Sequence, residues 1–184
     1  MSELYFDKYF ELLNSRLRFV NPGDLISTVD LLRKVKDSEC KVIVAGNGGS
    51  AAMSSHVSVD LVKAANIRCL NFNEADLITC FANDYGYENW VSKAIEAYAD
   101  CGDLVILISS SGTSQNIINA AHQAKKMGLD LVTFSGFYKN NALSQLGAIN
   151  FWADSCSYNI IEMTHHVWLV SIIDFYIDTK KGVL

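Results

Sequence analysis

The sequence has little of what marks several large protein classes. It holds one proline, Pro22, in 184 residues; placed after Asn21, it divides an otherwise uninterrupted helical pattern. Positive charge is scarce. Fifteen Lys and Arg against 20 Asp and Glu leave a net charge of −5 and a pI of about 5.3, which argues against nucleic-acid binding through a basic surface. The five cysteines are odd in number and show no CxxC or paired spacing, so they read as buried reduced thiols of a cytosolic protein. No signal-peptide layout opens the chain, because Ser2, Glu3, Asp7 and Lys8 break any apolar segment there. No stretch runs apolar long enough to span a bilayer. These absences point to a soluble cytoplasmic domain with neither nucleic acid nor membrane as partner.

What is present is apolar: half of the residues are hydrophobic and the mean hydropathy is +0.15. The length suits a single domain over 1–184 with a sizeable core, and leaves apolar surface for an oligomer interface. Residues 2 to about 37 space their apolar positions as two helices, ending in a charged stretch at 33–39. Five short β-type runs follow, at 41–45, 67–70, 104–108, 131–134 and 148–152. Helical patterns fill the intervals at 51–63, 75–82, 88–99, 115–127 and 159–176. Alternation of this kind predicts a parallel α/β sheet with right-handed crossovers. Residues 105–108 are continuously apolar, as a strand covered on both faces should be. The helices over 1–37 have no strand of their own, so they form an extension that either packs on another subunit or covers the sheet.

Two strands run straight into small polar turns and then into helices. The first turn reads Gly46-Asn47-Gly48-Gly49-Ser50; the second reads Ser109-Ser110-Ser111-Gly112-Thr113-Ser114. Each aims backbone N–H groups, hydroxyls and a positive helix end at one point, which suits a phosphate. Ser114 is placed to cap the following helix, yet a cap does not need five hydroxyls. The first turn is neither GxGxxG nor a Walker A sequence, so no nucleotide cofactor is expected. His56 and Asp60 lie four apart on one helix face, as a proton-transfer couple, a divalent-metal site or a surface ion pair. Glu162, His165 and His166 sit inside a final helix that is apolar nearly all round and should therefore be buried. In it Glu162 and His166 share a face, while His165 shares a stripe with Ile161 and Leu169. Asn83-Asp84-Tyr85-Gly86 reads as a turn.

Taken in this order, the pieces resemble the sugar isomerase (SIS) domain. More closely they resemble the phosphoheptose isomerases, which interconvert sedoheptulose 7-phosphate and D-glycero-D-manno-heptose 7-phosphate. The resemblance implies a three-layer α/β/α sandwich around a five-stranded parallel sheet, with 1–37 a helical oligomerisation extension. It implies a homotetramer with sites shared between subunits, a phosphorylated sugar as ligand and zinc as a possible cofactor. Ser50, Ser109, Ser110, Ser111 and Ser114 would grip the phosphate with Gly48 and Gly49, while Asn47 and Asp84 would contact the sugar. His56 matches a metal ligand, and Asp60 stands where the family places a glutamate that binds zinc and moves protons. The last helix departs from the pattern. Aligned without gaps through Glu162 and Met163, the family's glutamine falls on Ile161, its catalytic histidine on Leu169 and an aspartate on Tyr158. The expectation is that His165, midway on the stripe, replaces the histidine, with Glu162 or His166 in support. Catalysis would then rest on Asp60 and His165, and a metal on His56, Asp60, Glu162 and His165. The alternatives are a non-catalytic sugar-phosphate or partner-binding relative, and an isomerase of another phosphosugar.

Overall fold

Alternate residues of β1 (Lys41–Gly46) and β3 (Leu104–Ser109) point to opposite faces, and both faces are apolar and buried. Val42, Val44, Leu104, Ile106 and Ile108 face one core; Ile43, Ala45, Val105 and Leu107 face the other. This two-sided patterning forces helices onto both sides. The computed structural model, which describes residues 2–182 with side chains from Leu4 to Gly182, shows them there. Helices α2 (Pro22–Asp37), α3 (Gly49–Lys63) and α7 (Tyr158–Lys181) cover the first face. On the second lie α5 (Trp90–Tyr98) and α6 (Gln115–Lys126), with α4 (Ala75–Tyr85) packed partly against them. Helix α1 (Ser2–Leu17) lies against α7, where the Trp168 indole N–H donates to the Leu17 carbonyl at 2.9 Å. The expected three-layer α/β/α sandwich is what the chain forms.

All five strands are parallel, in the order β2-β1-β3-β4-β5, with β2 at Arg68–Asn71, β4 at Asp130–Ser135 and β5 at Ile149–Trp152. Every expected strand and helix is present, with ends shifted by up to five residues. Three expectations need correction. Asn83, Asp84 and Tyr85 do not form a turn but close the last turn of α4, and the chain breaks only at Gly86, whose φ of 82° suits glycine. The cysteines are free but not buried: Cys80, Cys101 and Cys156 are exposed, and Cys40 and Cys69 half-buried. Of the two alternatives left open for residues 1–37, α2 takes the covering of the sheet, with Thr28, Val29, Leu32 and Val35 buried. Finally, α7 has 24 residues and an 18-residue window of mean hydropathy 1.2, long and apolar enough to cross a bilayer by composition. Half of that window is buried in the protein, and the sheet explains its apolar face.

His165 belongs to that buried face of α7, with Ile161, Trp168 and Leu169. Its Nε2 lies 2.9 Å from the Ser135 carbonyl at the end of β4. A carbonyl only accepts, so Nε2 carries the hydrogen and Nδ1 is bare; Nδ1 has no partner among the described residues. Phe134 and Trp168 flank the ring, with centroids 5.6 and 6.0 Å away. Burial lowers the imidazole pKa to about 4, against the opposing pull of the Ser135 hydrogen bond. The unfolded chain therefore binds a proton below about pH 6.5 that the folded chain refuses, so stability falls as pH drops through that window. The loss reaches about 3 kcal/mol by pH 4. Urea unfolding at pH 7 and pH 4.5 should show this slope, and His165→Leu should flatten it.

Candidate active site

The sheet reverses its direction of growth between β1 and β3: β1 is followed outward by β2 on one side, and β3 by β4 and β5 on the other. At such a switch point the two outgoing loops turn to opposite faces of the sheet and open a crevice at the strand ends. The two serine- and glycine-bearing turns are those loops. Register carries them there together, with Gly46 of β1 opposite Ile108 of β3. A Cβ on Gly46 would meet Ser50 Cβ at 2.6 Å and the Ile108 carbonyl at 3.0 Å, so only glycine lets α3 start this close to β3. Gly48, at φ 55°, then turns the chain into α3.

A cavity of about 110 Å³ lies between the turns, lined by Asn47, Ser50, Ile108, Ser109, Ser110, Ser111, Ser114, Tyr158 and Glu162. Its polar groups are tied to one another in a graded way. Asn47 and Asn116 exchange side-chain amide hydrogen bonds at 2.9 and 2.8 Å, clamping the start of α3 to the first turn of α6. The Ser109 hydroxyl donates to Ser114 Oγ at 3.1 Å, and Ser111 Oγ accepts from the Thr113 amide at 3.2 Å. Ser114 sits at the α6 N-cap as expected, but its hydroxyl caps no backbone N–H. Gly48 likewise offers α3 no side-chain cap, and neither helix has an acidic residue in its first turn. The positive end of α6 is thus left to a ligand, whereas the α3 end is approached by a carboxylate from α7. The Ser110 hydroxyl is buried with no hydrogen-bond partner among the described residues, an unmet donor of the kind that native structures rarely leave without a role.

On α7, Tyr158 and Glu162 face this cavity. The Glu162 carboxylate lies against Gly49, where any Cβ would collide with it. One turn further along the same stripe, His166 meets His56 of α3, Nε2 to Nδ1 at 2.7 Å. His56 Nε2 in turn lies 3.2 Å from Asp60 Oδ2. Burial and the neighbouring His56 hold the His166 imidazole below its ordinary pKa, with Asp60 pulling the other way. The face of α7 that meets α3 and the cavity is therefore Tyr158, Glu162 and His166.

Several expectations change accordingly. His165 does not enter the crevice; it is fully buried beneath β4, because it shares its stripe with Ile161 and Leu169, which are core residues. Asp84 is not brought to the cavity by its own chain. It ends α4, which has no buried residue, and accepts from the Asn83 amide at 2.9 Å. The four residues named for a metal do not converge either. His56 and Asp60 touch, Glu162 lies at the cavity and His165 in the core; among the described residues no group of three or more His, Cys, Asp or Glu side chains is arranged to hold a metal. Asn47 lines the cavity, but its amide is engaged by Asn116 and approached by the Tyr87 hydroxyl at 3.3 Å. Asn116 and Tyr158 were not anticipated. Asn116 stands two residues after Ser114, in the first turn where a helix start is read, and Tyr158 four residues before Glu162; those spacings were the available signals.

Removing the unmet hydroxyl separates ligand binding from folding. Ser110→Ala should leave the thermal midpoint of the free protein within a degree or two, since no bond is broken. Affinity for a phosphate monoester, measured by calorimetry, should fall about 10- to 100-fold, the worth of one hydrogen bond to a charged group.

Comparison with known proteins agrees with this geometry. Residues 5–136 match the SIS domain family. The phosphoheptose isomerase of Sulfurimonas denitrificans is 42% identical over 102 residues, about half of each chain, 52% of both. The probable phosphoheptose isomerase of Thermoplasma acidophilum is 33% identical over 168 residues, covering 88% of this chain and 91% of that one. In fold alone, the structure of a phosphoheptose isomerase from Francisella tularensis superposes with a TM-score of 0.87 at 21% identity, over 97% of this chain and 99% of the other. On the matched family and on this identity over nearly the whole length, the chain belongs to the SIS domain family, among the phosphoheptose isomerases.

Proposed function

We propose that the chain is a phosphosugar aldose–ketose isomerase that converts sedoheptulose 7-phosphate to D-glycero-D-manno-heptose 7-phosphate, supplying heptose for surface polysaccharide. The observation that carries this reading is the buried, unpartnered Ser110 hydroxyl in a cavity at two helix starts, with a carboxylate–imidazole pair two to three turns further along α3. The first part binds a monoester dianion; the second moves protons.

The reaction needs little more. A base removes a proton from C1; the C–H electron pair becomes the C1=C2 bond and the carbonyl pair settles on O2. A proton passes from O1 to O2. The C1=C2 pair then takes a proton at C2 while C1=O1 forms. No electron enters or leaves, so no redox partner is required. The two serine turns hold the phosphate as a remote anchor, and that binding energy fixes the reacting carbons against the proton-transfer groups. Asp60 serves as one acid/base. Zinc belongs to the resemblance, and no step here is routed through it.

The same reading includes a homotetramer in the cytoplasm with sites shared between subunits. Exposed apolar side chains support an assembly: Leu4, Tyr5, Phe6 and Phe10 on α1, and Val59, Val62, Met163 and Val167 on α3 and α7, which also carry the His56–His166 pair. Sedimentation equilibrium should report a four-chain particle at micromolar concentration. The second reading, a sugar-phosphate-binding protein without catalysis, is favoured by one observation: the positions of the family's glutamine and histidine are core residues Ile161 and Leu169.

Turnover decides between them. The purified protein should convert sedoheptulose 7-phosphate to the aldose, and Asp60→Asn should lower kcat about 100- to 10,000-fold with little change in KM. Tight binding of the ester with no isomerisation by the wild-type protein would establish the binding-protein reading.

A further inference from the structure

We propose that Asp60, His56 and His166 form a hydrogen-bonded proton relay in which His166 Nδ1 is the base that takes the proton from carbon, and that this relay works without a metal ion. The inference rests on the isomerase reading above and supplies the second acid/base that His165 cannot be.

The hydrogen positions follow from the partners. A carboxylate only accepts, so His56 Nε2, 3.2 Å from Asp60 Oδ2, carries the hydrogen. His56 Nδ1 is then a bare acceptor, and the 2.7 Å contact to His166 requires His166 Nε2–H as donor. His166 Nδ1 is left bare and meets no partner among the described residues. A carboxylate orienting an imidazole that fixes the tautomer of a second reacting group is the logic of a catalytic triad. When Nδ1 takes the C1 proton, the positive charge on His166 is shared through His56 toward Asp60. The same Nδ1–H returns the proton at C2. The hydroxyl proton passes from O1 to O2 across the cis-enediol itself, so every atom is accounted for.

Position supports the role. His166 lies one helical turn beyond Glu162, roughly 6 Å along α7 from the phosphate cavity. A seven-carbon sugar phosphate anchored at its far end is long enough to bring its first carbons to His166. The two imidazoles stand nearly perpendicular, at 87° with centroids 4.8 Å apart. The arrangement is also what disfavours a metal centre. Both nitrogens of His56 are already committed, to partners on opposite edges of its ring, so Asp60, His56 and His166 cannot all direct a lone pair at one point.

The test uses the full chain, stripped with a chelator and verified metal-free by elemental analysis. The stripped wild-type protein should keep its kcat. His166→Gln, whose amide can still donate to His56 but cannot exchange a proton, should lose about 100- to 10,000-fold in kcat, with KM and calorimetric affinity for inorganic phosphate unchanged. Nitrogen-15 NMR of the free, metal-free protein should show scalar coupling across the His56 Nδ1–His166 Nε2 hydrogen bond, whatever the substrate proves to be. Loss of activity on stripping that zinc restores would overturn the proposal, as would wild-type turnover by His166→Gln or absence of the coupling. If the wild-type protein isomerises no phosphosugar at all, the isomerase reading itself fails. That result differs from an active wild type with an equally active variant.

Discussion

The pairing of β1 with β3 is the constraint on which the rest depends. It is fixed at both ends. At the incoming edge Asp103, fully buried, accepts from the Lys41 amide at 2.9 Å, the Asp100 amide at 2.8 Å and the Lys41 ammonium at 2.6 Å. A buried carboxylate is tolerable only when so fully satisfied. At the outgoing edge the Asn47–Asn116 amide pair does the same work with neutral groups. Between these two ties every β1 residue from Val42 to Gly46 has one partner in β3. A slip of one residue would exchange the two cores and separate the helix ends that make the cavity. Stability of the sheet and shape of the phosphate site are thus one requirement, imposed on the same few residues.

Much of this was legible in the sequence, for a physical reason. Strands apolar on both faces, ending in glycine and serine, leave little choice of architecture, and both turns lie where a parallel sheet must open. What was misread lies on α7 and α4. A helix apolar nearly all round gives weak phase information, and a gapless alignment set the polar stripe on Ile161, His165 and Leu169. The fold buries that stripe and presents Tyr158, Glu162 and His166, one residue or about 100° round the same helix. The sharing of a face by Glu162 and His166 was visible in the spacing; which face would be buried depended on the sheet beneath. Asp84 was misjudged because Asn-Asp-Tyr-Gly suits a turn locally, whereas α4 simply continues to the glycine.

The two halves of the site differ in how they are built. The phosphate end is tightly built: Ser50, Ser109 and Ser110 are buried, and close contacts at Gly46, Gly49 and Gly112 leave no room for a Cβ. Donors held in this way cost no reorganisation when the ligand arrives. The proton-transfer end is open. The His56 side chain is 53% exposed and Asp60 36%, and water there would screen the charge interactions on which a relay depends. An exposed polar contact of this kind contributes little to stability, so folding of the single chain does not account for it.

That openness and the exposed aliphatics on the same helices have one explanation in common. Val59, Val62, Met163 and Val167 are exposed on α3 and α7, the helices that carry the two histidines, and exposed apolar side chains favour being covered. A second surface laid over this face would bury the aliphatics and, by removing water, strengthen every electrostatic contact within the relay. In the proposed assembly the driving force for association and the condition for proton transfer are therefore the same burial. An isolated chain would retain the phosphate cavity, which lies within its own sheet and helices, and would lack the dry environment that its catalytic end requires.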